Sequence, residues 1–229
     1  MSIFETVISL IAPSECINCG SEGYSLCMEC SQIAIIPYGE RCWSCGALTD
    51  NGRTCPSCRR TGSPGRVWVV TNHENLARDL LKDYKFDENR AAAESIAGMM
   101  VTRLKGGIGT NISDYLVVPV PTATKRARER GFDHSVLLAR KIAPKLGLPY
   151  QTALGRLGQS RQVGSLRSER LAQMSDKFWV KNPKTVFGRK ILLIDDVVTT
   201  GATVNAASKT LRQAGAVRVD ALIFAKRLL

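Results

Sequence analysis

Residues 190–203 read KILLIDDVVTTGAT, a run that passes from apolar to acidic to hydroxylated residues. The continuous apolar segment Ile191–Ile194 predicts a strand that is buried on both faces. Two acids, Asp195 and Asp196, follow it. A turn of Thr199, Thr200 and Gly201 then opens a predicted helix whose first residues are Ala202 and Thr203, with Val204, Ala207 and Leu211 as its inner stripe.

The start of this helix predicts an anion site. Its free amides, the hydroxyls of Thr199, Thr200 and Thr203, and the helix dipole together favour a phosphate. Gly201 allows the backbone to approach that phosphate closely. Asp195 and Asp196 cannot bind the same anion, but carboxylates accept hydrogen bonds from sugar hydroxyls. The pattern therefore describes a ribose 5-phosphate, and the alternative is a core strand followed by an ordinary capped helix.

The rest of the chain alternates between strand and helix patterns. Strands are predicted at 67–71, 115–120 and 217–224, and helices at 76–84, 96–104, 135–146 and 202–214. Apolar strands that alternate with helices indicate an α/β fold with a mostly parallel sheet. The Gly/Pro/Ser-rich segment Arg59–Arg66 predicts a boundary, which gives a first domain at 1–61 and a second at 62–229.

All eight cysteines lie before residue 60, in four Cys-x-x-Cys pairs: Cys16/Cys19, Cys27/Cys30, Cys42/Cys45 and Cys55/Cys58. This spacing lets two thiolates of one turn face one tetrahedral ion, and Gly20 and Gly46 suit a positive φ directly after two of the pairs. A disulfide framework and a redox motif are the alternatives. We expect two structural Zn²⁺ ions, because four thiolates leave no open position for a substrate.

The pairing of these motifs has two solutions. Sequential pairing joins the first with the second and the third with the fourth, over short loops that close at low entropic cost. A crossed arrangement, first with third and second with fourth, is also physically possible. We expect the sequential one, as a double zinc ribbon.

The charge is uneven along the chain. The whole sequence carries +12, whereas residues 1–60 have four Lys/Arg against six Asp/Glu and residues 121–170 have eleven against three. Such a basic stretch indicates an anionic partner, although a solvated basic surface is the other interpretation. No run of apolar residues is long enough to span a membrane, and the first residues do not read as a secretory signal. We expect a cytoplasmic protein.

The residues from Ile191 to Thr203 resemble the thirteen-residue ribose-phosphate signature of type I phosphoribosyltransferases. The chain as a whole resembles the ComF (competence protein) family, in which a cysteine-rich zinc module precedes such a domain. The other motifs that carry this resemblance are Pro13-x-x-Cys16-x-x-Cys19, Val118-Pro119-Val120-Pro121, Arg128-Glu129-Arg130-Gly131-Phe132, Gln162-Val163 and Glu169-Arg170. In two places the chain departs from the family, which usually has Asn-Gln at Asp133-His134 and Asn near Gln173.

The resemblance implies a type I phosphoribosyltransferase-like domain that binds phosphoribosyl diphosphate with Mg²⁺. Residues 199–203 would hold the 5-phosphate, and Asp195 and Asp196 would hold the ribose hydroxyls as the catalytic pair. The loop after Pro121, with Arg126 and Arg130, would face the diphosphate, and Ser160–Arg170 would close over it as a flap.

Two functions follow from the resemblance. One is a binder that acts in natural transformation, with single-stranded DNA and other competence proteins as partners. The alternative is an active phosphoribosyltransferase with an unidentified acceptor. In enzymes of this fold that act on 6-oxopurines, an Asp occupies the position of Thr199, so purine salvage of that type is disfavoured.

Overall fold

The computed structural model describes residues 14–86, 90–106, 111–122, 132–156 and 178–227. The elements in chain order are α1 (Met28–Ala34), β1 (Val67–Asn72), α2 (Asn75–Phe86), α3 (Arg90–Lys105), β2 (Tyr115–Pro119), α4 (His134–Leu146), β3 (Leu154–Arg156), β4 (Phe178–Val180), a 3₁₀ turn (Pro183–Thr185), β5 (Lys190–Val198), α5 (Ala202–Gln213) and β6 (Arg218–Lys226).

The central sheet has four strands in the order β1-β6-β5-β2, and all three pairings are parallel. Helices cover both faces, which is why β1, β2, β5 and β6 are apolar along nearly their whole length. A second, antiparallel pair, β3 and β4, lies apart from this sheet. The predicted α/β class with a mostly parallel sheet is confirmed.

Strand β5 is longer than predicted. Ile191–Ile194 is fully buried, as expected, but the strand continues to Val198 and therefore includes Asp195 and Asp196. Its neighbours are β6 on one side and β2 on the other. Both acids thus lie at the carboxyl end of a central strand, where ligands bind on parallel sheets.

The helices follow the predicted periodicity. In α5, Val204, Ala207 and Leu211 are buried against the sheet, which confirms the predicted inner stripe. Asp133 caps the start of helix α4, where its side chain accepts from the amide of Val136. Gly147, with φ of 66°, caps the end of the same helix. That conformation suits glycine, because it has no Cβ to clash with the backbone.

The two faces of the sheet have separate cores. Helices α2, α3 and α4 pack on one face, against Trp68, Val70 and Leu192. Helix α5 packs on the other face, against Val69, Leu193 and Ile223. No described helix is both long and apolar enough to cross a membrane.

The cysteine-rich segment packs directly on the sheet and contributes to both cores. Cys16 and Cys30 belong to the α2–α4 side, and Cys42 and Cys55 belong to the α5 side. Between them, the chain passes the edge strand β1, where the amide of Tyr38 donates to the carbonyl of Val70 at 2.8 Å. The sequence did not predict helix α1, which lies within this segment. The proposed boundary at residues 61/62 stays a prediction.

Candidate functional site

The two acids of β5 share the carboxyl edge of the sheet but have different surroundings. Asp195 accepts from the amide of Asp196 at 3.0 Å. Asp196 accepts from the amide of Val197 at 2.8 Å and forms an ion pair of 2.6 Å with Nζ of Lys85. Lys85 lies in the last turn of α2, so one helix delivers a counter-charge to only one of the two acids.

These surroundings move the two pKa values apart. Burial and the charge of Asp196 raise the pKa of Asp195 well above its usual range. Burial also opposes ionisation of Asp196, but Lys85 and, more weakly, His134 outweigh it and lower its pKa. The pair therefore holds a single negative charge over a wider pH range than two independent acids would.

No local pattern singled out Lys85, because it adjoins a helical apolar stripe that ends in Tyr84. Tyr84 is buried and donates its hydroxyl to the carbonyl of His134 at 2.5 Å. The rings of Tyr84 and His134 meet edge to face, with centroids 5.2 Å apart. This contact fixes the end of α2 against the start of α4, and so fixes Lys85 beside Asp196.

The predicted phosphate loop, residues 199–203, leaves backbone donors unpaired at the start of α5. Gly201 immediately precedes α5 and has a φ of 78°, and no side chain caps the helix. Thr200 Oγ1 is 3.4 Å from the amide of Ala202, a long and weak contact. In the described part of the chain, the amides of Gly201, Thr203 and Val204 have no hydrogen-bond partner. Thr199 and Thr200 are exposed, so the helix start is open to a ligand.

Trp43, a residue that the sequence analysis did not single out, packs against this loop. A Cβ built on Gly201 would overlap the six-membered ring of Trp43. Trp43 is buried, and its Nε1 donates to Thr54 Oγ1 at 3.0 Å. Gly201 is therefore required twice: for its positive φ and for the space that the indole ring occupies.

Lys226 supports the same loop from β6. Its buried ammonium group donates to the carbonyl of Thr199. Burial lowers the pKa of Lys226, and the neighbouring Cys42 opposes that shift. A lysine directly after the apolar run 221–225 was visible in the sequence, but its partner was not.

The departure at Asp133 has a structural explanation. Its carboxylate accepts from the amide and the hydroxyl of Thr122, both at 3.0 Å, and from the hydroxyl of Ser135 at 2.8 Å. It therefore joins the residues directly after β2 to the start of α4, a role that suits an acceptor-only carboxylate. Arg126, Arg130 and the proposed flap at 160–170 lie outside the described residues, so their predicted roles stay predictions.

The eight cysteines form two groups of four. In each group the sulfur atoms all lie within 4.8 Å of one another, and the members are Cys16, Cys19, Cys27 and Cys30 in cluster one and Cys42, Cys45, Cys55 and Cys58 in cluster two. The sequential pairing is the one that the structure shows. Each cluster begins with the same turn: the amides of Gly20 and Gly46 donate to the carbonyls of Cys16 and Cys42, both at 2.8 Å. Both glycines have positive φ, as expected.

The donor chemistry of both clusters fits zinc. Burial would raise the pKa of Cys16, but amides of Cys27, Cys19 and Asn18 outweigh it and lower that pKa to about 6. Cys42 has the same arrangement with amides of Cys55, Cys45 and Ser44, and its pKa is lowered to about 7. Amides that stabilise a thiolate inside a set of four thiols are the environment that a structural Zn²⁺ site needs.

Known proteins are similar to this chain along most of its length. The family model described as phosphoribosyl transferase domain matches residues 133–228. Competence protein ComFC of Streptococcus pneumoniae is 26% identical over 215 residues, which cover 93% of this chain and 92% of that protein. ComFC of Bacillus subtilis is also 26% identical, over 87% of this chain and 89% of its own. DNA utilization protein YhgH of Escherichia coli K12 is 25% identical, over 86% and 88%.

The solved structures to which the chain shows similarity include the glutamine phosphoribosylpyrophosphate amidotransferase of B. subtilis in complex with ADP and GMP. The TM-score is 0.41 at 22% identity, over 58% of this chain and 26% of that one. Adenine phosphoribosyltransferase of Thermoanaerobacter pseudethanolicus has a TM-score of 0.39 at 16% identity, over 66% and 82%.

Proposed function

We propose that this chain, a homologue of the ComF-type competence proteins that carries a phosphoribosyl transferase domain, binds phosphoribosyl diphosphate together with Mg²⁺ at the carboxyl end of β5. The observation that carries this proposal is the uncapped start of α5, which follows the strand end with Asp195 and Asp196 after a short turn of the chain. The helix start offers unpaired donors, and the acids offer acceptors. A sugar phosphate has both complementary parts, in the same order.

Each part of the site has a defined task. The amides of Gly201, Thr203 and Val204, with the hydroxyls of Thr199 and Thr200, donate to the 5-phosphate. Asp196 accepts from the ribose hydroxyls as a charged group, because Lys85 keeps it ionised. Asp195 joins it once its proton is lost. Lys226 and Trp43 hold the loop from behind.

Two kinds of metal ion belong to this proposal. Mg²⁺ would arrive with the ligand and neutralise the charge of its diphosphate. The two clusters of four cysteines would each hold one Zn²⁺, which stabilises the fold of a segment with little aliphatic core.

The biological role that we propose is in natural transformation, in the uptake or processing of single-stranded DNA. It rests on the names of the homologues, competence protein and DNA utilization protein, which align over most of this chain. The net charge of +12 is compatible with a nucleic-acid partner.

Isothermal titration calorimetry with phosphoribosyl diphosphate tests the ligand. We expect saturable binding in the presence of Mg²⁺ and a loss of at least tenfold in affinity for Asp195→Asn combined with Asp196→Asn. Zinc content should stay at the wild-type level, and the variant should remain folded at the titration temperature, although loss of the ion pair with Lys85 lowers its melting temperature. An unchanged affinity would contradict the assignment of the site.

The single variant Asp114→Asn is the control. Asp114 is exposed and pairs with Lys190 at the opposite, amino-terminal end of β5, with Oδ2 and Nζ 2.6 Å apart. This variant removes a carboxylate without touching the proposed site, so its ligand affinity should equal that of wild type. An equal loss in the control and the test variant would point to net charge rather than to the site.

The same geometry supports transfer of the phosphoribosyl group as an alternative to binding alone. Departure of diphosphate would leave positive charge on the ribose ring, close to Asp195 and Asp196, where carboxylates stabilise it. An assay of diphosphate release across a panel of nucleobases separates the two functions. Steady release with one base would establish turnover, and binding without release from any of them supports the binder.

A further inference from the structure

A cavity at the amino-terminal end of the parallel strands, opposite the proposed sugar-phosphate site, is lined by arginines. Its volume is about 680 Å³, and six of its ten lining residues are Arg53, Arg59, Arg60, Arg66, Arg212 and Arg218. We name it the arginine cavity. Thr61, Gly62, Ser63 and Gly65 complete the lining, so no carboxylate and no aromatic ring belongs to it among the described residues.

The arginine cavity is separate from the proposed sugar-phosphate site. Arg66 precedes β1 and Arg218 begins β6, at the amino-terminal edge of the parallel sheet, whereas Asp195 lies toward the carboxyl edge. Arg212 is in the last turn of α5, whereas the phosphate loop lies at the start of that helix. A helix of 12 residues is about 18 Å long at 1.5 Å per residue, so one ligand atom cannot contact both ends.

Nearby acids neutralise only part of the charge. Asp220 is fully buried and accepts from Arg218 Nε at 2.7 Å, from the hydroxyl of Tyr115 at 2.6 Å and from the amide of Arg66 at 2.8 Å. This uses one of the five N–H donors of Arg218. A second ion pair, Arg53 with Asp50, is exposed and 3.8 Å long, which makes it weak.

One arginine has a buried donor that awaits a partner. Nε of Arg212 is inaccessible to solvent and has no acceptor within the described ranges. An unpaired buried donor is costly, and a small rotation of the guanidinium group towards a bound anion would give this donor an acceptor. This distinguishes the arginine cavity from a set of arginines that merely extend into solvent.

The cavity wall is held in a fixed shape. Thr54 Oγ1 donates to the carbonyl of Pro64 at 2.8 Å, and the amide of Gly65 donates to the carbonyl of Val219 at 2.9 Å. Gly62 has φ of 88°, and a Cβ there would lie 2.8 Å from Cβ of Lys209 on α5. The segment 59–66 is therefore packed against α5 and β6, and it presents its arginines from an ordered backbone.

We propose that the arginine cavity is a second anion site, which takes a chain of phosphate groups. Guanidinium groups bind phosphate oxygens through two parallel hydrogen bonds, and six of them far exceed the need of one phosphate. A volume of about 680 Å³ also has room for several phosphates in series. Without a ring for stacking, the site reads the phosphates and not the bases. The ligand is the backbone of a single-stranded nucleic acid or a free oligophosphate.

The test uses the full-length, zinc-loaded protein and a double variant, Arg60→Gln with Arg212→Gln. The matched control is Arg78→Gln with Lys82→Gln, which removes two exposed charges from α2, away from the cavity. The first probe is a fluorescent dT12 oligonucleotide, followed by anisotropy at several salt concentrations. The second probe is inorganic tripolyphosphate, both alone and as a competitor.

We expect the cavity variant to lose at least tenfold in affinity for the probe that binds, and the control to lose less than threefold. For the oligonucleotide, removal of two phosphate contacts should reduce the slope of log affinity against log salt by about 1.4. Loss of both oligonucleotide and tripolyphosphate binding identifies a site for any phosphate chain, and loss of oligonucleotide binding alone identifies the nucleic-acid backbone. Equal losses in both variants, or none in either, overturn the proposal.

The proposal is independent of the sugar-phosphate site, and the same variants show it. The cavity variant should bind phosphoribosyl diphosphate with Mg²⁺ as wild type does, and Asp195→Asn with Asp196→Asn should leave dT12 and tripolyphosphate binding unchanged. Failure of one site thus does not imply failure of the other.

Discussion

The two cysteine clusters have the same local geometry but different neighbours. Cluster one packs on the face of the sheet that carries α2–α4, where Ser95 of α3 exchanges hydrogen bonds with the backbone of Leu26. Cluster two packs on the other face, where Trp43 lies between two of its ligands in sequence and fills the space behind Gly201. Only cluster two lies next to the phosphate loop.

The comparison indicates that two motifs with the same local geometry can contribute differently to ligand binding. Cluster one joins the cysteine-rich segment to a helix that is remote from the ligand. Cluster two determines the position of Trp43 and, through Cys42, borders Lys226, whose ammonium group holds Thr199. We therefore expect loss of cluster two to affect ligand binding and loss of cluster one to affect stability alone.

The largest expected effect comes from one exposed ligand of each cluster, Cys45→Ser and Cys19→Ser. Each variant should lose one equivalent of zinc, because serine is a poor replacement for a thiolate. Cys45→Ser should also weaken binding of phosphoribosyl diphosphate with Mg²⁺ by at least tenfold, whereas Cys19→Ser should change it less than threefold. Elemental analysis and calorimetry on the same preparations measure both quantities.

Circular dichroism at the temperature of the titration serves as the control for folding in both cysteine variants. If Cys19→Ser weakened the ligand as much as Cys45→Ser while both stayed folded, the proposed asymmetry between the clusters would be wrong.

A smaller effect is expected from Gly201→Ala, compared with Gly147→Ala. Both glycines have positive φ, 78° and 66°, but a Cβ on Gly147 would meet nothing within 4 Å, and one on Gly201 would overlap Trp43. Gly147→Ala should cost about 1 kcal/mol of stability from backbone strain. Gly201→Ala should cost about 2–4 kcal/mol, because overpacking adds to that strain. Urea denaturation measures both, and equal costs would remove the role of Trp43.

The pH dependence of binding should follow Asp195. Its raised pKa keeps it protonated at pH values where an ordinary Asp is charged. Ligand affinity should therefore rise as the pH increases through that raised value, and Asp195→Asn should flatten the profile. The same shift makes the unliganded fold more stable below the raised pKa than above it. Calorimetry at a series of pH values measures this profile. If affinity changed with pH equally in wild type and in Asp195→Asn, the titrating group would not be Asp195.

The smallest effect is expected at Ser95, the contact of cluster one. Ser95→Ala removes the hydrogen bonds of 3.4 and 3.1 Å with Leu26 and should cost about 1 kcal/mol of stability. Ligand affinity should not change, because Leu26 packs on the α2–α4 side of the sheet, whereas the phosphate loop packs against Trp43 on the other side. A shift in melting temperature without a shift in affinity is the expected result, and a change in affinity would link cluster one to the site.

The sequence carried the local parts of this architecture. The apolar run at 191–194, the periodicity of α5 and the repeated Cys-x-x-Cys spacing each reflect neighbours along the chain. The strand, the helix and the sequential clusters were accordingly predicted. The full extent of β5 was not predicted. The two acids mark the end of the apolar run in the sequence, but in the structure they belong to the strand, and Lys85 pairs with one of them.

Contacts between segments that are distant along the chain were not predicted from the sequence. Lys85 meets Asp196, and Trp43 meets Gly201, across more than a hundred residues, and neither pair has a local pattern. The arginine cavity is a similar case. It unites residues from the segment 53–66 with Arg212 and Arg218, whereas the sequence drew attention to the basic stretch at 121–170.

The account depends most on unpaired backbone donors at the start of α5, and backbone amide chemical shifts observe them directly. In ¹⁵N-labelled protein titrated with ribose 5-phosphate, we expect the amide signals of Gly201, Thr203 and Val204 to move with one common midpoint while those of Leu26 and Ser95 stay in place. Saturation of binding with the signals of Gly201, Thr203 and Val204 unmoved would contradict the account.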